Sequence, residues 1–270
     1  MDTKEPFYGY DKKERDIVIK AGYKQTEAGV IPEDWECVAA GDVIQFFGGY
    51  GFSSDSESTS GVRWLKIANV GVEKIKWEAE SFLPSSFLSE FKSYSLNSGD
   101  VVMALTRPIL NDKLKIARLD GVDIPALLNQ RVAKLEPKGF NKIEYLFYVM
   151  QRLDFIASMN LAMAGTDPPN IGNAALEKIN ILVPSNKSEQ TSIAKALSDT
   201  DALIQSLSQL IAKKRQIKQG AMQAMLNPYD ETGALKTGWV VKKMGDVIAH
   251  CSSGATPYRG TPEFYITYPT

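Results

Sequence analysis

Histidine is nearly absent from this chain: of 270 residues, only His250 carries an imidazole. Ser/His/Asp and Cys/His nucleophilic catalysis both need such a base, so hydrolases of those kinds are excluded for the stretch before it. Cysteine is almost as scarce. Cys37 and Cys251 show no metal-ligand spacing, so no metal site is expected, and the two fit free thiols in a reducing cytoplasmic compartment. No segment reaches the ~18 apolar residues needed to span a bilayer, and the charged first twenty residues lack the apolar run of a secretory signal. A soluble cytoplasmic protein with no membrane partner is expected. A dominant charge is missing too: 31 Lys and Arg stand against 32 Asp and Glu, for a net charge of -1. Any electrostatic footprint must therefore be local.

What is present begins with a repeat. Trp35, Gly41, Asp42, Val43 and Ile44 return as Trp239, Gly245, Asp246, Val247 and Ile248 at the same spacing, 204 residues on. Solenoid units run roughly 20 to 50 residues, so this offset points to a duplicated domain with one complete module between the copies. Residues 1–22 read as a polar leader with a short helix at residues 12–20. From Tyr23 to residue 186, short β-branched stretches alternate with turn residues: Val43 to Phe47, Trp64 to Ile67, Val101 to Leu105, Lys115 to Leu119 and Ile179 to Val183. Residues 142–164 have helical spacing, with Ile143, Leu146, Phe147, Met150, Leu153, Phe155 and Ile156 as the core face. The expected class is mixed α/β (α+β), a strand-rich globular domain.

Residues 188–226 contain no proline and one glycine, Gly220. Ile193, Leu197, Ile204, Leu207 and Ile211 recur at intervals of four, seven, three and four, and Leu203, Leu210, Ile217 and Ala221 widen the stripe. The pattern predicts one long projecting helix of coiled-coil type, roughly 55 to 60 Å at 1.5 Å per residue, with its apolar face buried on a partner. Ser185, Asn186 or Ser188 would cap it, and Asn227-Pro228 would end it. Residues 187–227 thus form a helix segment, and 228–270 a linker with the start of a second copy.

Two fragments fit an adenine-N6 DNA methyltransferase. Phe47-Gly48-Gly49-Tyr50-Gly51 matches a glycine turn of the S-adenosylmethionine (SAM) type, and Asp167-Pro168-Pro169-Asn170 resembles an Asp-Pro-Pro-Tyr tetrapeptide. A polar serine-rich loop follows the glycines where a helix should stand, and Asn170 cannot stack on a flipped base. Binding is the alternative. Arg63, Lys66, Asn69, Lys74 and Lys76 cluster in one stretch, Arg107, Asn111, Lys113, Lys115 and Arg118 in a second, and Asn129, Gln130, Arg131 and Lys134 in a third. Arg, Asn and Gln carry the donor and acceptor pairs that match base edges, while Lys holds phosphates. A helical interaction protein that touches no DNA is the third reading.

The order of these parts resembles the specificity subunit of Type I restriction-modification systems. The residues that carry the likeness are Tyr23 to Trp35 with Gly41-Asp42; Gly99-Asp100-Val101-Val102; Gly165-Thr166 with Pro169-Asn170-Ile171; and Ile179 to Pro184 leading into Ser188-Glu189-Gln190, Ile193-Ala194, Leu197 and Asp201. The resemblance implies a protein with no catalytic residues and no cofactor of its own. Its target recognition domain would read one half of a split target in double-stranded DNA. It would recruit modification subunits that carry SAM and restriction subunits that use ATP and Mg. The long helix would space two recognition domains and pair antiparallel, through Ile193, Leu197, Ile204, Leu207, Leu210, Ile211 and Ile217. Since the second copy stops after some thirty residues and Tyr265 to Thr270 no longer continue the pattern, a homodimer through the helix is expected.

Overall fold

The computed structural model describes residues 19–252 and residue 254. Its internal contacts divide the chain into two compact units, one ending at Leu203 and the other beginning at Ile204. Most of the expected helix at residues 12–20, and residues 255–270 of the second copy, lie outside the described residues.

The first unit is built on two four-stranded sheets. One has the order Ile116–Arg118, Val101–Ala104, Val132–Pro137, Ile44–Gly48 and is antiparallel throughout. The other has the order Phe82–Leu83, Val62–Leu65, Ala126–Leu128, Ser95–Leu96, with a parallel pairing of its two middle strands. Strand residues point alternately to opposite faces, and Val101–Ala104 shows what that does here. Val101 and Met103 enter a core shared with the helices Ile143–Val149 and Leu153–Ala162. Val102 and Ala104 enter a second core with Leu65, Leu96, Ala126 and Leu128 of the other sheet. All four side chains are fully buried, which explains why this strand reads as a continuous apolar run. Beyond the second sheet, Phe52, Val62, Trp64, Leu83 and Leu127 close a third cluster.

The strands expected from β-branched runs appear within two residues of their positions. The helix expected over 142–164 is two helices. Arg152 is extended (φ -66°, ψ 147°), its guanidinium binds the Asp154 carboxylate at 2.8 Å, and Asp154 Oδ1 accepts from the Phe155 N–H, which restarts the helix on a rotated face. Phe155, Ile156 and Met159 then point inward, and Leu153, expected in the core, is 77% exposed.

Three elements close the module. Tyr23–Thr26 pairs with Gly29–Pro32 in a hairpin, with Gly29 at φ 101°. Trp35–Ala39 then pairs antiparallel with Asn180–Pro184, so the last strand lies beside one of the first. The chain passes from there into a single helix, Lys187–Leu226, 40 residues long. Asn186 Oδ1 accepts from the Ser188 N–H at 2.8 Å, the bond an N-cap makes. Trp35 Nε1 donates to Glu189 Oε1 (3.0 Å). The fully buried Gln190 accepts from the Lys142 N–H and donates to Asn141 Oδ1 and the Pro184 carbonyl. Tyr148 OH donates to Asp201 Oδ2 at 2.7 Å. The Ser-Glu-Gln run is thus a clasp between the helix start and the sheet. After Ala194 no helix residue is buried; Leu197 is 41% exposed and Ile204 57%.

In the second unit the repeat reappears as structure. The hairpin of the first copy becomes a bridge between Tyr229 and Leu235 with Gly233 at φ 82°, and the helical turn Ala40–Val43 becomes Met244–Val247. Burial does not repeat: Ala40, Val43 and Ile44 are buried, whereas Met244, Val247 and Ile248 are exposed.

Candidate nucleic-acid interface

Strand direction brings several of the expected residues to one place. Ala104 lies opposite Val132, so the loop leaving Val101–Ala104 and the turn entering Val132–Pro137 emerge at the same end of their sheet. The turn at residues 129–131 also continues Ala126–Leu128 of the other sheet, and it therefore sits where the two sheets meet. Backbone bonds fix it. Asn129 N–H donates to the Leu65 carbonyl (3.2 Å), Gln130 N–H to Tyr50 (3.0 Å), Leu105 N–H to Arg131 (2.9 Å), and Asn129 Oδ1 accepts from the Arg131 N–H (3.1 Å).

Arg107 joins this turn from the neighbouring loop. Its N–H donates to the Pro169 carbonyl at 2.7 Å, and Thr106 Oγ1 donates to Asn170 Oδ1 at 2.7 Å. These bonds hold Arg107 at φ 48°, a left-handed backbone that costs a non-glycine residue about 1 kcal/mol. Arg107, Gln130 and Arg131 are exposed, and among the described residues neither arginine has a carboxylate within ion-pair distance. The arrangement offers two guanidinium forks and an amide from a rigid mount, the chemistry that matches guanine and adenine edges.

Other expected residues are placed differently. Asn69 is 1% exposed: its Oδ1 accepts from the Lys66 N–H, and its Nδ2 donates to the Lys76 and Ala79 carbonyls. It ties a loop and has no edge left for a base. Lys115 is half-buried with Nζ on the Ile67 carbonyl at 2.6 Å, and burial lowers its pKa. Lys66 rests over the Trp64 ring at 3.8 Å and binds Ser81 and Glu57. Arg63, at the opposite end of its strand, donates to the Val122 carbonyl, pairs with Glu80 at 3.6 Å and lies over Trp77. Lys74, Lys76 and Lys113 are exposed without ion pairs among the described residues. Asn111 and Asp112, both at positive φ, form the two-residue turn between Ile109–Leu110 and Lys113–Leu114, so Asn111 has a conformational reason to be there.

The two methyltransferase-like fragments have structural explanations. A Cβ on Gly49 would stand 2.2 Å from the Asn129 carbonyl oxygen, and one on Gly51 2.6 Å from Gln130 Oε1. Gly49 thus admits the close approach of two backbone segments, whereas at Gly51 only the movable tip of the Gln130 side chain stands in the way. The next element along the chain is a three-residue 3-10 turn, Ser54–Ser56, not a helix that could face a phosphate. Pro169 and Asn170 are bonded to the Arg107 loop. Among the described residues no group of three His, Cys, Asp or Glu side chains could hold a metal ion.

Fold and site together define a mixed α+β domain with a rigid, arginine-bearing end, continued by a long helix at its C-terminal side. More particularly, the chain belongs to the Type I restriction modification DNA specificity domain family, whose model matches residues 32–218. It is 40% identical over 185 residues to the Type I restriction enzyme MjaVIII specificity subunit of Methanocaldococcus jannaschii, covering 68% of this chain and 43% of that protein. It is 34% identical over 183 residues to the EcoAI specificity subunit of Escherichia coli, covering 67% and 30%. The fold matches a solved chain from work on complex assembly and conformational transition of the type I R-M system. That match has a TM-score of 0.53 at 17% identity, over 76% of this chain and 47% of that one. The chain therefore spans less than half the length of these relatives.

Proposed function

We propose that this chain reads one half of a split target in double-stranded DNA as the non-catalytic specificity component of a Type I restriction-modification complex. The observation that carries the reading is the convergence of Arg107, Asn129, Gln130 and Arg131 on one rigid end of the recognition domain. Lys74, Lys76 and Lys113 serve as phosphate contacts. SAM, ATP and Mg belong to the modification and restriction subunits it recruits, and the chain itself binds no cofactor. The test is to co-express the chain with its modification subunit, map the methylated target by sequencing, and measure binding to that duplex over a range of salt. Target binding that weakens with salt, with non-target DNA bound at least a hundredfold less tightly, is expected. Equal affinity for target and scrambled duplexes would remove the reading.

The helix is proposed to space recognition domains by pairing with a second copy. The exposed series Leu197, Ile204, Leu207 and Ile211 supports this, as an apolar stripe of that width stabilises only when covered. Charge favours an antiparallel pair. The first half of the helix carries Glu189, Asp199 and Asp201 against Lys187 and Lys195, its second Lys213, Lys214, Arg215 and Lys218, and no acid occurs from 202 to 229. Opposed directions place the basic second half beside the net-acidic first half, and parallel helices would stack the two basic halves on each other. Light scattering of the wild type and Leu207→Asp should give a dimer and a monomer respectively; a monomeric wild type at micromolar concentration rules the pairing out.

A further inference from the structure

The Phe47-Gly48-Gly49-Tyr50-Gly51 segment has a role that the glycines alone do not explain. Gly49, which admits the Asn129 backbone, and Gly51 bracket Tyr50. The Tyr50 N–H donates to the Leu128 carbonyl (2.9 Å), and its carbonyl accepts from the Gln130 N–H (3.0 Å). The residue is therefore locked at both ends to the turn that carries Asn129, Gln130 and Arg131. Its ring is backed by Phe91, Phe52 and Tyr94, with centroids 4.8, 5.0 and 5.3 Å away, yet the residue is 40% exposed. Among the described residues its hydroxyl makes no hydrogen bond. A ring held this firmly loses little conformational freedom when a ligand covers it.

We infer that Tyr50 is a DNA-contact residue: its ring supplies the apolar surface of the reading end and packs on the apolar part of a nucleotide beside the bases read by residues 129–131. This rests on the DNA-reading role proposed above. Polar side chains in the turn discriminate base edges through hydrogen bonds, and thymine methyl groups and deoxyriboses are the apolar groups within reach of a protein surface in the same groove. The polar and apolar contacts share one backbone mount, so a substitution at Tyr50 would change target affinity without touching a charged group.

The test uses the chain assembled with its modification subunit and a duplex carrying the mapped target. Tyr50→Phe should bind within twofold of the wild type. Tyr50→Leu keeps apolar bulk against Phe91 and Phe52 and loses the flat ring; it should bind the target at least tenfold more weakly, with non-target affinity within twofold of wild type. Thymine-to-uracil replacement locates a methyl contact where it weakens the wild type and leaves Tyr50→Leu unaffected. Hydroxyl-radical footprinting locates a sugar contact where Tyr50→Leu alone loses protection. Target binding by Tyr50→Leu within twofold of wild type, with an unchanged footprint, overturns the inference and leaves the DNA-reading role standing. A wild type that does not prefer its target overturns both.

Discussion

Two sets of polar residues in the strand-rich domain look alike in sequence and behave differently in the fold. Arg63, Lys66, Asn69 and Lys115 are engaged by carbonyls, carboxylates and tryptophan rings of the chain itself. Arg107, Gln130, Arg131 and Lys113 stand exposed. A side chain can satisfy its donors with the protein or with a ligand, and a buried donor already bonded is costly to redirect. The first set is therefore committed to contacts within the fold, and the second is the set proposed above for reading DNA.

That division breaks most visibly at Asn69. Asn69→Leu removes three hydrogen bonds of a buried amide and leaves the Lys76 and Ala79 carbonyls and the Lys66 N–H without it. A loss of about 3 kcal/mol in urea unfolding is expected, from roughly 1 kcal/mol per bond, with target affinity of the folded fraction unchanged. A stable Asn69→Leu protein that has lost its target would place Asn69 in recognition after all.

Arg131→Ala and Arg107→Ala test the other set. Each should cost about 1–3 kcal/mol of target binding where the arginine makes a bidentate base contact, and each should leave the urea midpoint within error of wild type. Arg63→Ala should do the reverse. Arg131→Ala binding every mapped-target variant as the wild type does would take that residue out of the reading end.

The sequence carried the repeat, the long helix and the strand runs because each is a local pattern: Val101–Ala104 is apolar throughout since both of its faces are covered. The engaged set was not legible. Asn69 is bonded to residues seven and ten positions away across an irregular loop, and Lys115 to Ile67 across 48 positions, so neither bond leaves a periodic trace. Asn111 did carry a signal. Asn-Asp between Ile109-Leu110 and Lys113-Leu114 reads as a two-residue hairpin turn, a reason for its presence that competes with base reading. Tyr50 is hidden by its neighbouring glycines, which fit a cofactor turn as well as Gly49 fits the close approach to Asn129 that it serves. The repeat shows the limit from the other side. Ala40–Val43 and Met244–Val247 form the same helical turn from local sequence, but burial in the first copy depends on packing with distant elements such as Ile179 and Ile181.

The smallest effect tests whether an engaged polar group can be followed by pH. Tyr148 donates to Asp201 on the long helix, and its pKa is pushed up to about 12, first by burial and then by the Asp201 carboxylate. The unfolded phenol titrates near 10. Between pH 10 and 12 the native state therefore keeps a proton that the unfolded state loses, so the stabilisation is complete below pH 10 and is lost as pH rises toward 12. Tyr148→Phe removes the titrating group, and its urea midpoint should fall less than that of the wild type between pH 9 and 11. Tyr145, whose pKa burial also raises, is present in both proteins and drops out of the difference. Parallel pH profiles for wild type and Tyr148→Phe would mean that the Tyr148 hydroxyl, like the polar groups of the exposed set, is free of the fold in solution.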